Sequence, residues 1–398
     1  MLAIHGGTPV RTEPFPGWPV HTPADGQALE SFIRSGRFHT GERREAFEKT
    51  FARDEGVRHV FAVANGTVSL ELILRSYGIG RGDEVILPPY TFVATLSSIL
   101  YAGAKPVFAD IDPGTYNIDP VQVEKKITRK TKAVVAVAVG GCPPDVDALT
   151  RICKTRGIRL ILDAAQAVGA AYAGQSLCAL GDACSISCQN SKNLTCGEGG
   201  IIATNDDALA EELVVRLGGG RRGTEYVRPG QDHRLSEVQS VVLMSQYAKF
   251  RDELYKREMN AAYLSGLLKG FPFLSAQAYA PKITRHAYHL YIIRFHEEVL
   301  GEKGLDRDRF CRAVQAEGIP LTPGYAPLYR FPCCSSDSTL ALLGPGASPI
   351  DVTPLPESER AGYREGTWMY QALLLGTRTD MEQIAEALDK VWRHADEL

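Results

Sequence analysis

The sequence predicts an α/β protein whose main unit is a mostly parallel sheet with helices on both faces, followed by a smaller C-terminal α/β unit. Three observations predict it. Short apolar runs alternate with helical patterns from about residue 60 to 205, the rhythm of strands joined through helices. A long helical pattern over 235–268 closes that series. After Phe271 the texture changes, and a strand and two further helices follow. At 398 residues the chain exceeds one compact core. The expected divisions are an N-terminal segment, 1–19, a large unit, 20–245, and a small unit, 246–398.

The elements follow in order. His59-Val60-Phe61-Ala62-Val63 reads as a strand and 67–76 as a helix carrying Val68, Leu72 and Leu74. Glu84 to Leu87 is a strand, Ala94 to Tyr101 a helix, and Pro106-Val107-Phe108 a strand. Lys132 to Val139, Arg159 to Leu162, Cys184 to Ser187 and Gly200 to Thr204 continue the strands. In the second unit, 288–293 is a strand, 306–317 a helix, and 381–392 an amphipathic helix. The Ser-, Pro- and Gly-rich stretch 330–356 reads as a long loop. A parallel sheet presents ligands to the carboxyl ends of its strands. Asn65, Tyr90 and Asp163, each at or just past the end of a strand, should therefore converge on one edge.

Composition excludes several classes. A net charge of −3 and no basic run, with a pI near 6.3, give no footprint for nucleic acid or an anionic membrane. No apolar stretch approaches a membrane span, and Met1 to Val10 has no signal-peptide pattern. A cytoplasmic location is expected. The nine cysteines include no C-x-x-C pair and are odd in number, so free thiols packed as small hydrophobes are expected. No metal site is expected. Asp110-Ile111-Asp112 precedes Pro113-Gly114 and reads as a strand-ending turn.

Chemistry concentrates in two places. Asp163-Ala164-Ala165-Gln166 ends an apolar strand, and Lys192 stands ahead of the glycine-rich turn Gly197-Glu198-Gly199-Gly200. A lysine that closes a Schiff base on an aldehyde, with a carboxylate that keeps a pyridine nitrogen protonated, is what a pyridoxal 5'-phosphate (PLP) site needs. Asn65-Gly66-Thr67 lies between strand and helix, where free N–H groups and the helix dipole face a phosphate. Each has a plainer alternative, a helix-end lysine or a simple N-cap turn. Gly78-Ile79-Gly80-Arg81-Gly82 lies between helix and strand, the wrong context for a dinucleotide fingerprint, and reads as a helix-terminating turn.

Taken together, Gly6 to Arg11, Asn65-Gly66-Thr67, Gly82 to Pro88, Tyr90 to Thr95, Asp163 to Gln166, Gly181-Asp182 and Ser187 to Gly200 resemble the DegT/DnrJ/EryC1/StrS sugar aminotransferases. The resemblance implies the fold type I architecture of PLP-dependent aminotransferases. By position it implies Lys192 as the Schiff-base lysine and proton carrier, and Asp163 as partner of the pyridine nitrogen. Gln166 would lie near the ring hydroxyl, Phe92 on the cofactor face, and Gly66, Thr67 and Ser187 around the phosphate. It also implies a homodimer with shared active sites. The sequence looks most like the branch acting on keto-cyclitols such as scyllo-inosose, with glutamine as amino donor, and the related 3-amino-5-hydroxybenzoate synthases. Tyr325 and Tyr329 are candidates to line the acceptor pocket; packing in the small unit accounts for them almost as well.

Three positions depart from the family. Ala138 replaces a histidine, and Cys142 a polar residue. Asp232 replaces an asparagine that reaches the cofactor phosphate from the neighbouring subunit. A carboxylate there repels the phosphate, so Asp232 swings away, stays protonated or is neutralised by Arg234 or Arg221; the expectation is that it orients an arginine, which takes over the contact. A solvent-facing carboxylate without a role is the alternative. The expected function is a PLP-dependent aminotransferase using an amino-acid donor and a keto-cyclitol or keto-sugar acceptor. The competing readings are a PLP-dependent dehydratase or lyase of the aminohydroxybenzoate synthase type, and a catalytically silent PLP-fold protein.

Overall fold

A computed structural model describes residues 1–398. Its first sheet has seven strands: β1 (His59–Val63), β2 (Glu84–Leu87), β3 (Lys105–Phe108), β4 (Thr131–Val137), β5 (Arg159–Asp163), β6 (Ala183–Ser187) and β7 (Gly200–Thr204). Their spatial order is β1-β7-β6-β5-β4-β2-β3. Strands β2 to β6 pair in parallel. β7 is antiparallel to both β6 and β1, so six strands point one way and only β7 opposes them. Burial alternates with period two. Val134 and Ala136 face one core, Ala133 and Val135 the other. Burial on both faces is why these strands read as unbroken apolar runs.

The second sheet holds β8 (Leu274–Ala276), β9 (Leu290–Phe295), β10 (Thr322–Pro323) and β11 (Gly366–Tyr370), ordered β8-β9-β11-β10 and antiparallel throughout. It carries its own core of Phe273, Ile293, Phe295, Phe310, Met381, Ile384 and Leu388. The helix Arg378–Arg393 closes this core, opened by a capping box from Thr377 and Asp380.

The helix Glu237–Leu268 runs unbroken through residue 245, so the expected division falls inside an element rather than in a linker. Its first half packs Leu243, Tyr247, Phe250 and Leu254 into the first core. Its second half packs Ala261, Leu264 and Leu268 into the second. The N-terminal segment also joins the second core: Leu2 is fully buried there, with Val10 and Phe15 against it. Residues 330–356 are not the expected long loop. They hold the helix Asp337–Leu343, capped by Ser336, and Leu343 and Ile350 pack beside Leu328 and Tyr329 against the first sheet. Ser336, one of the serines that looked like loop composition, serves there as a cap.

Asp110 spends its carboxylate on the backbone N–H groups of Glu357 and Ser358, both at 2.9 Å, tying the end of β3 to the start of the helix Pro356–Arg360. Asp112 accepts from Gly114 and Thr115 to close its turn. All nine cysteines are free, and all but Cys333 are buried. Ala138 and Cys142 lie fully in the first core.

Glu317 is wholly buried. Its carboxylate accepts from Ala3 N at 2.8 Å and Val10 N at 3.0 Å and pairs with Lys390 Nζ at 2.7 Å. Removing it strands two backbone donors and leaves the Lys390 ammonium only Thr8 O, at 2.8 Å. Glu317→Ala should cost about 3–5 kcal/mol, read as an earlier transition in denaturant; an unchanged midpoint would show that the staple holds nothing.

Candidate active site

Because six strands run one way, the residues just past their carboxyl ends meet at one edge. There a cavity of about 600 Å³ is lined by Asn65, Gly66 and Thr67 after β1, Thr91 and Phe92 after β2, and Asp163 at the end of β5. Ser187, Gln189, Ser191 and Lys192 enter after β6. His289, Tyr325 and Tyr370 come from the second unit. The structure thus brings together Lys192, Asp163, Gly66, Thr67, Phe92, Gln166, Ser187 and Tyr325.

Asp163 is buried at 3% exposure. Its Oδ2 accepts from Thr95 Oγ1 at 2.8 Å and its Oδ1 from Ala165 N at 3.1 Å. Burial pushes the carboxyl pKa up, and these two hydrogen bonds together with the charge of Lys192 only partly oppose it. A further positive charge in the cavity would complete its solvation, which is what a protonated pyridine nitrogen supplies. Burial also pulls the Lys192 ammonium down to about 8, while Asp163 holds it up. The pair therefore keeps an amine that can give up its proton near neutrality.

The lysine loop is fixed from several sides. Lys192 N donates to Gln189 O at 2.9 Å, and Cys188 N to Gly199 O at 2.8 Å. Trp18 Nε1 donates to Asn190 O at 2.8 Å, and Asn193 Nδ2 to Ala287 O at 2.7 Å. The N-terminal segment and the second unit both hold the loop.

The other end of the cavity is an anion cradle. Asn65 caps the helix Gly66–Ser76 by accepting from Val68 N at 2.9 Å. The first N–H groups of that helix have no intrahelical acceptor and point to the cavity mouth with the positive end of the dipole. Gly66 meets Ser187 so closely that an added Cβ would lie 2.9 Å from the serine Cβ. Any larger residue would wedge β6 from the helix and close the cradle. Carboxylate, amine and cradle together fit PLP: Asp163 for the ring nitrogen, Lys192 for the aldehyde, and Gly66, Thr67 and Ser187 for the phosphate.

Gln166 is held by Gly140 N, which donates to its Oε1 at 2.8 Å, and its Nε2 reaches the Tyr325 hydroxyl at 3.3 Å. Phe92 is the N-cap residue of the helix Val93–Ala102, and 57% of it remains exposed on the cavity wall. Two candidates lie elsewhere. Tyr329 does not line the cavity: its ring packs edge-on against Phe108 at 5.7 Å, and its hydroxyl accepts from Leu355 N at 2.9 Å. The short helical turn Leu328–Arg330 rotates it into the first unit's core. Asp232 is exposed, outside the cavity of its own chain, and paired with Arg234 at 2.8 and 3.1 Å.

Sequence reasoning missed Thr95, His289 and Tyr370. Thr95 lay inside a recognised block, four residues after Thr91, whose hydroxyl lies 3.2 Å from its own across the start of the helix. Tyr370 ends a strand, β11, whose apolar run was too short to stand out. His289 sat in an apolar stretch that read as plain strand.

A model of the family described as DegT/DnrJ/EryC1/StrS aminotransferase family matches residues 21–343. An L-glutamine:2-deoxy-scyllo-inosose aminotransferase of Streptoalloteichus tenebrarius is 40% identical, over 100% of this chain and 99% of its own. The enzyme of the same name from Streptomyces lividus is 37% identical over the same shares. Among solved structures, 3-amino-5-hydroxybenzoic acid synthase superposes with a TM-score of 0.85 at 29% identity, covering 96% of this chain and 100% of that one.

The depressed amine gives a direct test. In the cofactor-free protein, labelling of Lys192 by an amine-reactive reagent should titrate with a midpoint near 8. Asp163→Asn should move that midpoint lower, because the charge that favours the ammonium is gone. A midpoint at the ordinary lysine value of about 10.4 would contradict this account of the cavity.

Proposed function

Given that the chain belongs to the DegT/DnrJ/EryC1/StrS family and is a transaminase, we propose that it moves an amino group from L-glutamine to a polyhydroxylated cyclic ketone of the scyllo-inosose type. The aminotransferases of this family and its structural neighbours are PLP-dependent. The observation that carries the acceptor class is the cavity wall. Of the 20 residues lining it, Lys192 is the only lysine or arginine, and the rest of the polar surface is hydroxyl, amide, imidazole and carboxylate. Such a wall suits a neutral ring of hydroxyls. The diphosphate of a nucleotide-linked sugar would find no second cation from this chain. The end-to-end likeness to two glutamine:2-deoxy-scyllo-inosose aminotransferases supports the same choice.

When bound, PLP supplies an aldehyde that carries the amino group and a ring that takes up electrons. The protein's own residues do the rest. Asp163 would hold a proton on the ring nitrogen, and the backbone at Gly66 and Thr67 with the Ser187 hydroxyl would hold the phosphate. Lys192 Nζ, an amine able to give up its proton near neutrality, would take the proton from the donor's α-carbon and, in the second half-reaction, carry a proton in the opposite sense. Gln166, set by Gly140 and facing Tyr325, would lie near the cofactor's ring hydroxyl.

A second reading, a lyase or dehydratase of the aminohydroxybenzoate synthase type, has the superposition with that synthase in its favour. We further infer a homodimer. Arg234 bridges Val63 in antiparallel fashion, just before the phosphate turn, and His233 O accepts from Ala64 N at 2.7 Å. Asp232 thereby steadies Arg234 beside the cradle, at the face where a second copy would dock. The ion pair is exposed and contributes little to stability, so its use is to aim a guanidinium.

Measurements of turnover, assembly and cofactor affinity test these statements. Lys192→Ala should abolish amino transfer and Asp163→Asn remove most of the rate, with glutamine alone converting the wild-type cofactor; wild-type turnover by Lys192→Ala would overturn the mechanism. Conversion of a cyclic keto-acid without any amino donor would favour the second reading. Sedimentation should give a dimer, and Asp232→Asn should change PLP affinity across neutral pH. A fully active monomer or an unaltered affinity would remove the shared site and the arginine role respectively.

A further inference from the structure

His289 precedes β9, is buried at 2% exposure, and lines the same cavity as Lys192. Its Nδ1 lies 3.2 Å from Asn193 Oδ1. The Asn193 amide cannot be turned around, because its Nδ2 donates to Ala287 O at 2.7 Å. An amide oxygen only accepts, so the hydrogen must sit on Nδ1 of the ring. In a neutral imidazole the other nitrogen, Nε2, is then a bare acceptor. Burial, with the charges of Lys192 and Arg257 behind it, keeps the ring neutral. Nε2 has no hydrogen-bond partner within the chain, Lys192 Nζ included, and is not among the polar atoms sealed without one. It therefore opens on the cavity.

We propose that His289 is a specificity-determining residue: its Nε2, kept unprotonated by Asn193, accepts a hydrogen bond from a ring hydroxyl of the amino acceptor. The proposal rests on the keto-cyclitol reading above. An acceptor-only atom in a nearly dry wall discriminates by chemistry. A hydroxyl satisfies it, whereas a carbonyl or a bare methylene at that position leaves it desolvated and unpaired, and sites of this type reject such analogues strongly. The neighbouring Gln166 amide and Tyr325 hydroxyl both offer hydrogens, so the wall reads hydroxyls from both sides. The same asparagine that follows Lys192 thus sets the donor–acceptor sense of the second unit's contribution.

Two substitutions separate this role from packing. His289→Asn keeps an amide where Nδ1 stood, so that Asn193 retains a partner, and leaves nothing at Nε2. His289→Gln can return an amide oxygen near the Nε2 position. In the PLP-loaded enzyme, His289→Asn should raise KM for 2-deoxy-scyllo-inosose about tenfold or more and leave the glutamine half-reaction within about twofold; His289→Gln should recover most of the loss. An unchanged KM, or equal losses in both half-reactions, overturns the proposal. A second readout needs no turnover. Histidine-selective nitrogen spectra should show His289 protonated on Nδ1, with an Nε2 signal that moves when scyllo-inositol, an unreactive ring of hydroxyls, is added. A ring protonated on Nε2, or no response to the polyol, also overturns it. If the wild type aminates no cyclic polyol ketone, the functional reading falls on its own account, and the spectrum still decides whether Nε2 meets a hydroxyl.

Discussion

A carboxylate carried to the end of a buried strand leaves its water behind, and much of the site answers that loss at Asp163. Thr95 reaches it from the helix Val93–Ala102, the backbone of Ala165 turns back to it, and Lys192 stands opposite with a charge that compensates only in part. The parallel sheet makes this possible. Strands that share a direction deliver the carboxylate, the lysine loop and the anion cradle to one rim, although Gly66, Asp163 and Lys192 lie far apart along the chain. The energetic strain of a half-compensated charge and the chemical need for a protonated ring nitrogen are the same fact seen from two sides.

Much of this was legible beforehand because its signals are local. β1, β2 and β7 match the expected runs residue for residue, and the other strands of the first sheet begin or end within two residues. Lys192 and Asp163 stood in motifs whose residue types the chemistry requires. Signals that depend on distant partners did not show. β11 is recognisable only once β9 and β10 flank it. The helix Asp337–Leu343 looked like loop because its capping serine and small residues carry no periodic apolar face of their own. Tyr329 and Tyr325 are four residues apart and alike in sequence context. Only the intervening turn sends one to the cavity and the other into the core. His289 gives no sign of a role until Ala287 and Asn193 are seen to share it.

The second unit is more than a cover. It provides Tyr325, Tyr370 and His289 to the cavity wall and the carbonyl of Ala287 to the lysine loop. The N-terminal segment adds Trp18, which bonds to that loop while its ring lies 4.9 Å from the Arg257 guanidinium. Arg257 is fully buried in the long helix, its Nε held by Gln371 at 2.8 Å, and the backbone N–H of Gln371 donates in turn to His289 O at 3.1 Å. A chain of contacts therefore runs from the first residues through the long helix to the imidazole. A buried guanidinium is tolerated only where its neighbours are fixed, so this chain also makes the wall rigid.

The helix Glu237–Leu268 belongs to both cores at once, and that sharing governs how the molecule comes apart. Cutting the chain at residue 245 would leave Leu243 on one fragment and carry Tyr247, Phe250 and Leu254, which pack in the same core, away on the other. Neither piece is an autonomous folding unit in that sense. A hinge between the two sheets would have to break a continuous ladder of helical hydrogen bonds. Substrate entry is left to the rim of the cavity, where Phe92, Tyr370 and Glu198 stand exposed.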